Sequence, residues 1–309
     1  MHLLFSSRTQ FCDSVVKKFF GWLPDKLYLS LRYRFLMGHW IDWKNPKTFT
    51  EKIQWLKIYN RKPEYTTMVD KYAVKQYVAD RIGDEYIIPT LGVWDKTEDI
   101  DWDSLPDQFV LKTTHGGGSG GVVICQDKSK LDKSAAVTKL NESMRSDIYS
   151  NLREWPYKNV PKRIIAEKFM APEKSSVSED FLDNEERYDE LKDYKFFCFN
   201  GKVRFFKVDF GRFVEHHANY YDPDGKLLDF GEADLAPVPN EKVELPENLK
   251  EMVKLAEQLS KDEPFLRVDL YNVRGKIYFG ELTFYPASGM GMWTNEDVDD
   301  LIGSYLNLS

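Results

Sequence analysis

The feature that most constrains this chain is a run in its first half: Phe109-Val110-Leu111-Lys112-Thr113-Thr114-His115, then Gly116-Gly117-Gly118-Ser119-Gly120-Gly121, then Val122-Val123-Ile124. It reads as a strand ending in a lysine, a glycine-packed loop and a second apolar strand. Glycine permits positive φ and lets backbone N–H groups approach a ligand closely. A concave run of such groups is an anion site, and Lys112 adds a fixed positive charge, so the loop suits a phosphate. No Gly-Lys-Ser/Thr ending follows, so this is not a P-loop. The β-branched Val122-Val123-Ile124 argues against the strand–turn–helix of a dinucleotide fold. A strand–loop–strand cover over a nucleotide remains, beside the plainer reading of a ligand-free hairpin tip.

At 309 residues the chain can bury a sizeable core, in one large domain or two interlocked ones. A formal net charge of -7 and a pI near 5.4 argue against a general nucleic-acid binder. Cys12, Cys125 and Cys198 are odd in number and far apart. They offer neither a disulfide framework nor a CxxC metal site, and a reducing cytoplasm is expected. No apolar run has the length of a membrane span. The N-terminus lacks the apolar core and cleavage site of a signal peptide.

Charge is unevenly spread. Residues 1–60 hold ten Lys/Arg against four acids, about +6, which leaves about −13 on the rest of the chain. The same segment holds Phe11, Phe19, Phe20, Trp22, Tyr28, Tyr33, Phe35, Trp40 and Trp43. A basic, aromatic helical segment can rest on an anionic membrane or grip an acidic glycan. The competing reading packs the rings on the main domain and leaves the lysines in water.

No repeat or low-complexity linker is visible. Residues 13–37 read as short helices broken at Gly21 and Pro24. Thr48-Phe49-Thr50-Glu51 has the form of a capping box opening a helix through Tyr59, with Glu51 as the reciprocal partner. A single helix is expected over about 66–82, ending at Gly83, and a strand and turn over 86–94. Helices are expected at 132–148 and 248–260, and the acidic run 173–193 reads as a surface loop.

Two hairpins follow. Asn200-Gly201 is a two-residue turn signal that pairs Phe199 with Lys202, Phe197 with Arg204 and Lys195 with Phe206. Alternation then sets Lys195 and Arg204 diagonally on one face, able to grip one anion. The second hairpin turns near Arg274-Gly275. Arg267, Asp269 and Tyr271 share a face, and Glu281 and Thr283 return near Asp269, with Glu281 opposite it if the turn carries one extra residue. Two adjacent carboxylates repel unless a cation lies between them, and oxygen ligands suit magnesium bridging nucleotide phosphates. A pair of acids salt-bridged to Arg267 is the alternative. Asp209-Phe210-Gly211 matches a protein-kinase tripeptide, but no His-Arg-Asp catalytic loop stands upstream, and that reading is rejected.

As a set, Phe49-Thr50-Glu51-Lys52-Ile53-Gln54-Trp55-Leu56, Asp70-Lys71-Tyr72, Lys112-Thr113-Thr114-His115-Gly116-Gly117-Gly118, Tyr194-Lys195-Phe196-Phe197-Cys198-Phe199-Asn200-Gly201 and Glu281-Leu282-Thr283-Phe284-Tyr285-Pro286 resemble the TupA-like ATP-grasp family over about residues 45–290. Members are associated with bacterial surface polysaccharide and teichuronopeptide synthesis. The resemblance implies an α+β ATP-grasp fold, two α+β subdomains clasping ATP. The expected division is a helical extension over 1–60, a subdomain with the glycine loop over 61–165 and one with the metal hairpin over 166–309. It implies nucleotide contacts from Lys71, Lys112, His115 and the loop Gly116, Gly117, Gly118 and Ser119. The hinge would be Glu167-Lys168-Phe169-Met170, with Glu173 on the ribose. Lys195 would reach the β/γ-phosphates, Arg267 the transferring phosphoryl group, and Asp269 and Glu281 would bind Mg2+. The family usually has Asn where this chain has Thr283, which puts a second metal ion in doubt.

By the same resemblance the activity is an ATP-dependent carboxylate–amine ligation through an acylphosphate. The acceptor would be a uronic-acid-containing glycan and the donor an amino acid or amine. Arg212, His216 and His217 are candidate substrate contacts, and a cytoplasmic station, with residues 1–45 able to meet the membrane, goes with it. A glycosyltransferase using Asp101-Trp102-Asp103, an ATP-grasp kinase and a nucleotide sensor are the competing classes.

Overall fold

Turn dipeptides and strand alternation build two antiparallel sheets, and the helices are shared between them. The computed structural model describes residues 7–118, 120–170, 191–210, 217–235, 237–238 and 243–308. The N-terminal part is helical: α1 (Ser7–Phe19), α2 (Asp25–Met37) and α3 (Phe49–Tyr59). Thr48 caps α3, its hydroxyl accepting from Glu51 N at 3.2 Å. The reciprocal half of the box takes another form. Glu51 accepts from Asp42 N (3.0 Å) and Lys47 N (2.9 Å), pinning the chain that enters the helix.

The single helix expected over 66–82 is two, α4 (Glu64–Val69) and α5 (Ala73–Ile82). Asp70 interrupts it. Its Oδ1 accepts from Tyr72 N (2.9 Å) and Ala73 N (3.2 Å), a local bond that competes with helix continuation and restarts the helix one turn on. The break frees Lys71 N to donate to Thr114 O at 3.0 Å.

The first sheet contains β1 (Thr90–Trp94), β2 (Phe109–Thr113), β3 (Val122–Cys125) and β4 (Ile164–Lys168), in the order β1-β4-β2-β3. The strand expected from Tyr86 begins instead at Thr90, after a 3-10 turn over Asp84–Tyr86. Alternation along β2 buries Phe109 and Leu111 with Val123, Ile164 and Ala166 against α6 (Lys133–Arg145), which α7 (Ile148–Leu152) follows. Val110 and Lys112 point the other way, beside Glu167. All five residues of β4 pair with β2, across the division drawn between 165 and 166, so the chain leaves this sheet after Lys168. Helices α4 and α5, though earlier in sequence, bury Tyr65, Met68, Val69, Val74 and Val78 in the core of the second sheet.

That second sheet runs β7-β6-β5-β8-β9, from β5 (Asp193–Phe199), β6 (Lys202–Phe210), β7 (His217–Tyr221), β8 (Phe265–Val273) and β9 (Lys276–Thr283). Its two hairpin turns, Asn200-Gly201 and Arg274-Gly275, have positive φ at both positions (50° and 75°; 53° and 78°), the geometry that matches strand twist. One face lies under α8 (Leu249–Ser260), which buries Met252, Leu255, Ala256 and Leu259. At one end of the other face, Phe197, Phe199, Phe205 and Phe265 meet Phe49 of α3, Trp293 and Tyr305 of α9 (Glu296–Tyr305). Phe197 stacks on Phe205 at 4.5 Å, and Phe49 meets Phe265 edge-on at 5.1 Å.

Phe205→Ala should therefore cost roughly 3–5 kcal/mol in a chemical-denaturation measurement. A loss below about 1 kcal/mol would mean the ring cluster does not hold the sheet to α3.

Candidate active site

On the face that carries the rings, alternation continues from Phe199 and Phe197 to Lys195 and Asp193, and aromatic packing gives way to charge. Lys195 stands opposite Asp269 of β8, Asp269 opposite Glu281 of β9, and Arg267 opposite Thr283. Arg267 grips Asp269 with two bonds of 2.7 Å, Nε to Oδ1 and Nη2 to Oδ2. Its Nη2 also reaches Glu281 Oε1 and Thr283 Oγ1, both at 3.0 Å. Lys195 Nζ donates to Asp269 Oδ2 at 2.7 Å and to Asp193. Burial disfavours the charge on Lys195, but Asp269 and Asp193 outweigh it and hold its pKa above the ordinary value. Asp269 overcomes burial in the same way for Arg267. For Glu281 burial is again the opposing influence, and Lys71 and Arg267 keep it ionised below the usual range.

The opposition of Asp269 and Glu281 does not come from an extra turn residue. Val273 pairs with Lys276, and the additional residue is Gly280, a bulge between the pairs Leu270–Phe279 and Asp269–Glu281. A second bulge corrects the first hairpin. Phe197 pairs with Phe205 because Arg204 is the extra residue, so Lys195 faces Lys207. Arg204 is exposed, its guanidinium 5.6 Å from the Tyr305 ring, and is not among the cations of the site. Lys207 takes that place, 2.6 Å from Glu232 Oε2 and 3.6 Å from Asp209 Oδ1, while Asp209 Oδ2 lies 3.8 Å from Lys195.

The first sheet adds a second group of charges. Glu167 holds Lys112 on Oε2 (2.7 Å) and Lys75 of α5 on Oε1 (2.5 Å). Burial opposes its ionisation, but Lys112 and Lys75 prevail and lower its pKa. Lys71 joins the two groups. Its Nζ donates to Gly116 O in the glycine loop and lies 3.9 Å from Glu281 Oε2. Burial lowers the Lys71 pKa against the pull of Glu281.

Among the described glycines of the loop, Gly118 has a positive φ, +64°. Gly116 and Gly121 serve close approach instead. A Cβ at either would collide with Thr113 Oγ1, which bonds Ser143 Oγ at 2.7 Å. Gly117 and Gly118 form the exposed tip. His115 turns inward, its Nε2 3.1 Å from Ser143 O, and burial, then Lys162, lowers its pKa. Its ring is buried beneath the loop.

Lys168, Phe169 and Met170 form the exit from β4, where Lys168 N donates to Pro89 O at 3.0 Å. Ser119, Glu173, Arg212 and His216 lie outside the described residues, and His217 opens β7. Asp101 closes its own exposed turn, accepting from Asp103 N and Ser104 N at 3.2 Å each, which removes the observation behind a sugar-nucleotide metal motif.

Among the described residues no group of three or more His, Cys, Asp or Glu side chains is gathered to hold a metal ion by itself. Magnesium that arrives with phosphate oxygens needs one or two carboxylates, and the opposed Asp269 and Glu281 supply that donor set. The Thr283 hydroxyl is engaged by Arg267 and lies 3.4 Å from Glu281 Oε1.

A family model described as TupA-like ATPgrasp matches residues 51–307. The chain belongs to the TupA-like ATP-grasp family. Its fold is accordingly α+β, with the two antiparallel sheets of an ATP-grasp protein. Among solved structures, a D-alanine–D-alanine ligase from Bacillus anthracis is 20% identical with a TM-score of 0.40, over 71% of this chain and 57% of that one. The corresponding ligase from Helicobacter pylori is 15% identical with a TM-score of 0.43, over 84% and 69%. An L-amino acid ligase from Bacillus licheniformis is 15% identical with a TM-score of 0.43, over 78% and 49%. The TupA-like chain thus spans little more than half the length of the first of these, and no curated protein matches it.

Sequence reasoning missed Lys75, Asp193, Lys207, Asp209 and Glu232. For three of them, Asp193, Lys207 and Asp209, a signal existed: Asp193-Tyr194-Lys195, Lys207-Val208-Asp209 and Arg267-Val268-Asp269 each set a base and an aspartate two apart, hence on one face of a strand.

Because Glu167 is more acidic in the fold, the stability it lends is complete above its ordinary value of 4.5 and is lost as pH falls through the lowered one. Glu167→Gln should be less stable than wild type at neutral pH by roughly 1–3 kcal/mol, the two lysines having lost the carboxylate charge and one of its two accepting oxygens. The gap should close as pH falls below 4.5 and through that lowered value in a series of thermal midpoints. A gap independent of pH would detach Glu167 from Lys75 and Lys112.

Proposed function

We propose that this ATP-grasp chain is an ATP-dependent carboxylate–amine ligase that attaches an amino acid or amine to a uronic-acid-containing cell-surface glycan or its precursor. The observation that carries the reading is the facing of two groups. Lys195 and Arg267 bracket the opposed Asp269 and Glu281 on one sheet, and Lys112 and the glycine loop stand on the other, with Lys71 between them. Such a set of cations fits a polyphosphate, and the carboxylate pair fits its metal ion.

In this reading Lys71, Lys112 and the loop backbone hold the α- and β-phosphates, and Lys195 reaches the β/γ region. The exit at Lys168, Phe169 and Met170 receives the adenine, with Glu173 on the ribose. Asp269 and Glu281 hold Mg2+, which when bound offsets phosphate charge. Arg267 stabilises the charge that develops on the transferring phosphoryl group. A substrate carboxylate oxygen attacks the γ-phosphorus and the bond to ADP breaks, giving an acylphosphate. The amine nitrogen then attacks the acyl carbon, phosphate departs and a proton is released from nitrogen. No side chain need become covalently attached, since positioning and electrostatics supply what phosphoryl transfer requires. A cytoplasmic station at the inner face of the membrane belongs to the same proposal and suits three free cysteines.

The test is titration calorimetry with magnesium and a non-hydrolysable ATP analogue, beside a panel of UDP-sugars, on wild type and Asp269→Asn. Magnesium-dependent ATP-analogue binding, weakened on the order of a hundredfold by the substitution, is the expected result. ADP release that needs both a uronate and an amine, with an amide detected by mass spectrometry, would complete it. Binding of nucleotide sugar without ATP would sink the ligase reading, and phosphorylated acceptor without amide would make the protein a kinase.

A further inference from the structure

The turn between α1 and α2 holds three large rings in four residues, Phe19, Phe20 and Trp22, which are 59%, 37% and 77% exposed. The packing reading holds deeper in the segment, where Tyr28 and Tyr33 are fully buried. It fails at this turn.

The turn is a built feature. Phe20 N donates to Val16 O and Leu23 N to Phe20 O, both at 3.0 Å, and Trp22 Nε1 donates to Phe19 O at 3.1 Å. Beneath it, buried Arg153 donates to Gly21 O and lies 3.3 Å from Asp25 at the start of α2. Arg153 adopts a left-handed backbone, φ 55°, and lays its guanidinium 4.2 Å from the centre of the Tyr28 ring. A non-glycine residue keeps that conformation where its surroundings demand it. The rings are therefore presented on a braced corner.

Charge identifies the occupant. Lys17 and Lys18 are exposed beside the rings, Lys18 Nζ 5.4 Å from the centre of Phe19, and Lys26 follows on α2. The surrounding 60 residues carry about +6 against about −13 on the remainder. A second copy docked isologously through this corner would set basic segment against basic segment. An anionic bilayer meets both features. The Trp22 indole suits the level of the headgroups, the Phe19 and Phe20 rings the acyl boundary just below, and adjacent lysines pair with lipid phosphate. No helix among the described residues is long and apolar enough to cross a membrane, so contact here would be interfacial.

We propose that the α1–α2 turn is a membrane-docking tip that seats Phe19, Phe20 and Trp22 in the interfacial layer of an anionic bilayer.

Co-sedimentation with vesicles tests it, using phosphatidylcholine alone and an equimolar mixture with phosphatidylglycerol. Wild type should partition to the anionic vesicles about tenfold or more better than to the neutral ones, and less as salt rises. The triple variant Phe19→Ser/Phe20→Ser/Trp22→Ser should lose about tenfold or more of that partitioning with an unchanged unfolding midpoint. Lys17→Glu/Lys18→Glu should remove most of the preference for anionic lipid. If the triple variant does not fold, Trp22→Ser alone serves, because its ring is the most exposed of the three. Equal partitioning of variant and wild type, or none by wild type, would overturn the proposal. So would a wild-type dimer in analytical ultracentrifugation that the ring substitutions dissolve. Sedimentation reads the surface alone, so the outcome is separate from that of the nucleotide titration.

Discussion

Charge that has been taken out of water and is balanced only by neighbouring strands is the constraint on which the rest of this structure depends. On β6 and β5, Lys207 stands opposite Lys195 and Asp209 opposite Asp193. Like charges directly across a ladder repel. The arrangement persists because each strand carries its own compensation two residues away and β8 adds Asp269. A buried ion pair is weak evidence for stability, since desolvation offsets most of its attraction. A sheet built for stability alone would continue the Phe197–Phe205 packing to the strand ends. Giving it up for an array of alternating charge is reasonable where a polyanion and a divalent cation are to enter, exchanging one set of partners for another without leaving a group unpaired.

Placing those charges falls to irregularities. Without the bulge at Gly280, a regular ladder from the Arg274-Gly275 turn would set Gly280 opposite Asp269 and leave Glu281 on the other face. Without the extra residue at Arg204, Phe206 would face Lys195. The break at Asp70 does the same for Lys71, which an unbroken helix would bond to its own carbonyls and which instead reaches Thr114 and Gly116. Each device moves one side chain by about one residue's pitch, which is the scale on which an ion pair forms or fails.

That scale also decides what could be read from the sequence. Asn200-Gly201, the capping Thr48 and the glycine loop were legible because each rests on local chemistry, whereas the facing of Asp269 with Glu281 followed only on condition of one extra residue, which lies at Gly280 and not in the turn. Arg204 was misplaced because a bulge has no strong local signature when its extra residue is not glycine. Lys75 was invisible as a site residue because the acid it serves, Glu167, is distant in sequence and stood in the expected hinge. The repeated base–x–aspartate spacing held the information on Lys207 and Asp209, but resemblance to a kinase tripeptide drew Asp209 into another question. The glycines misled in a further way: two of them serve close packing against Thr113.

The N-terminal helices belong to the same mechanical unit as the site. Gln54 Nε2 donates to Ser288 O (3.0 Å) and Gly289 O (2.8 Å), and Lys57 Nζ to Ser288 O (2.8 Å), Ser288 Oγ (2.6 Å) and Leu152 O (3.1 Å). These bonds hold the segment after β9, where Ala287, Ser288 and Gly289 are successively left-handed at φ 47°, 55° and 64°. Full burial pushes the Lys57 pKa down against the pull of Glu154. The Lys57 bond to Leu152 abuts Arg153, which braces the α1–α2 corner. One chain of contacts therefore runs from the strand that bears Glu281 and Thr283, through α3, to the exposed rings. A surface presented through such a chain has a fixed orientation to the cleft, which is what an enzyme needs if its acceptor is to arrive from a plane and not from bulk solution.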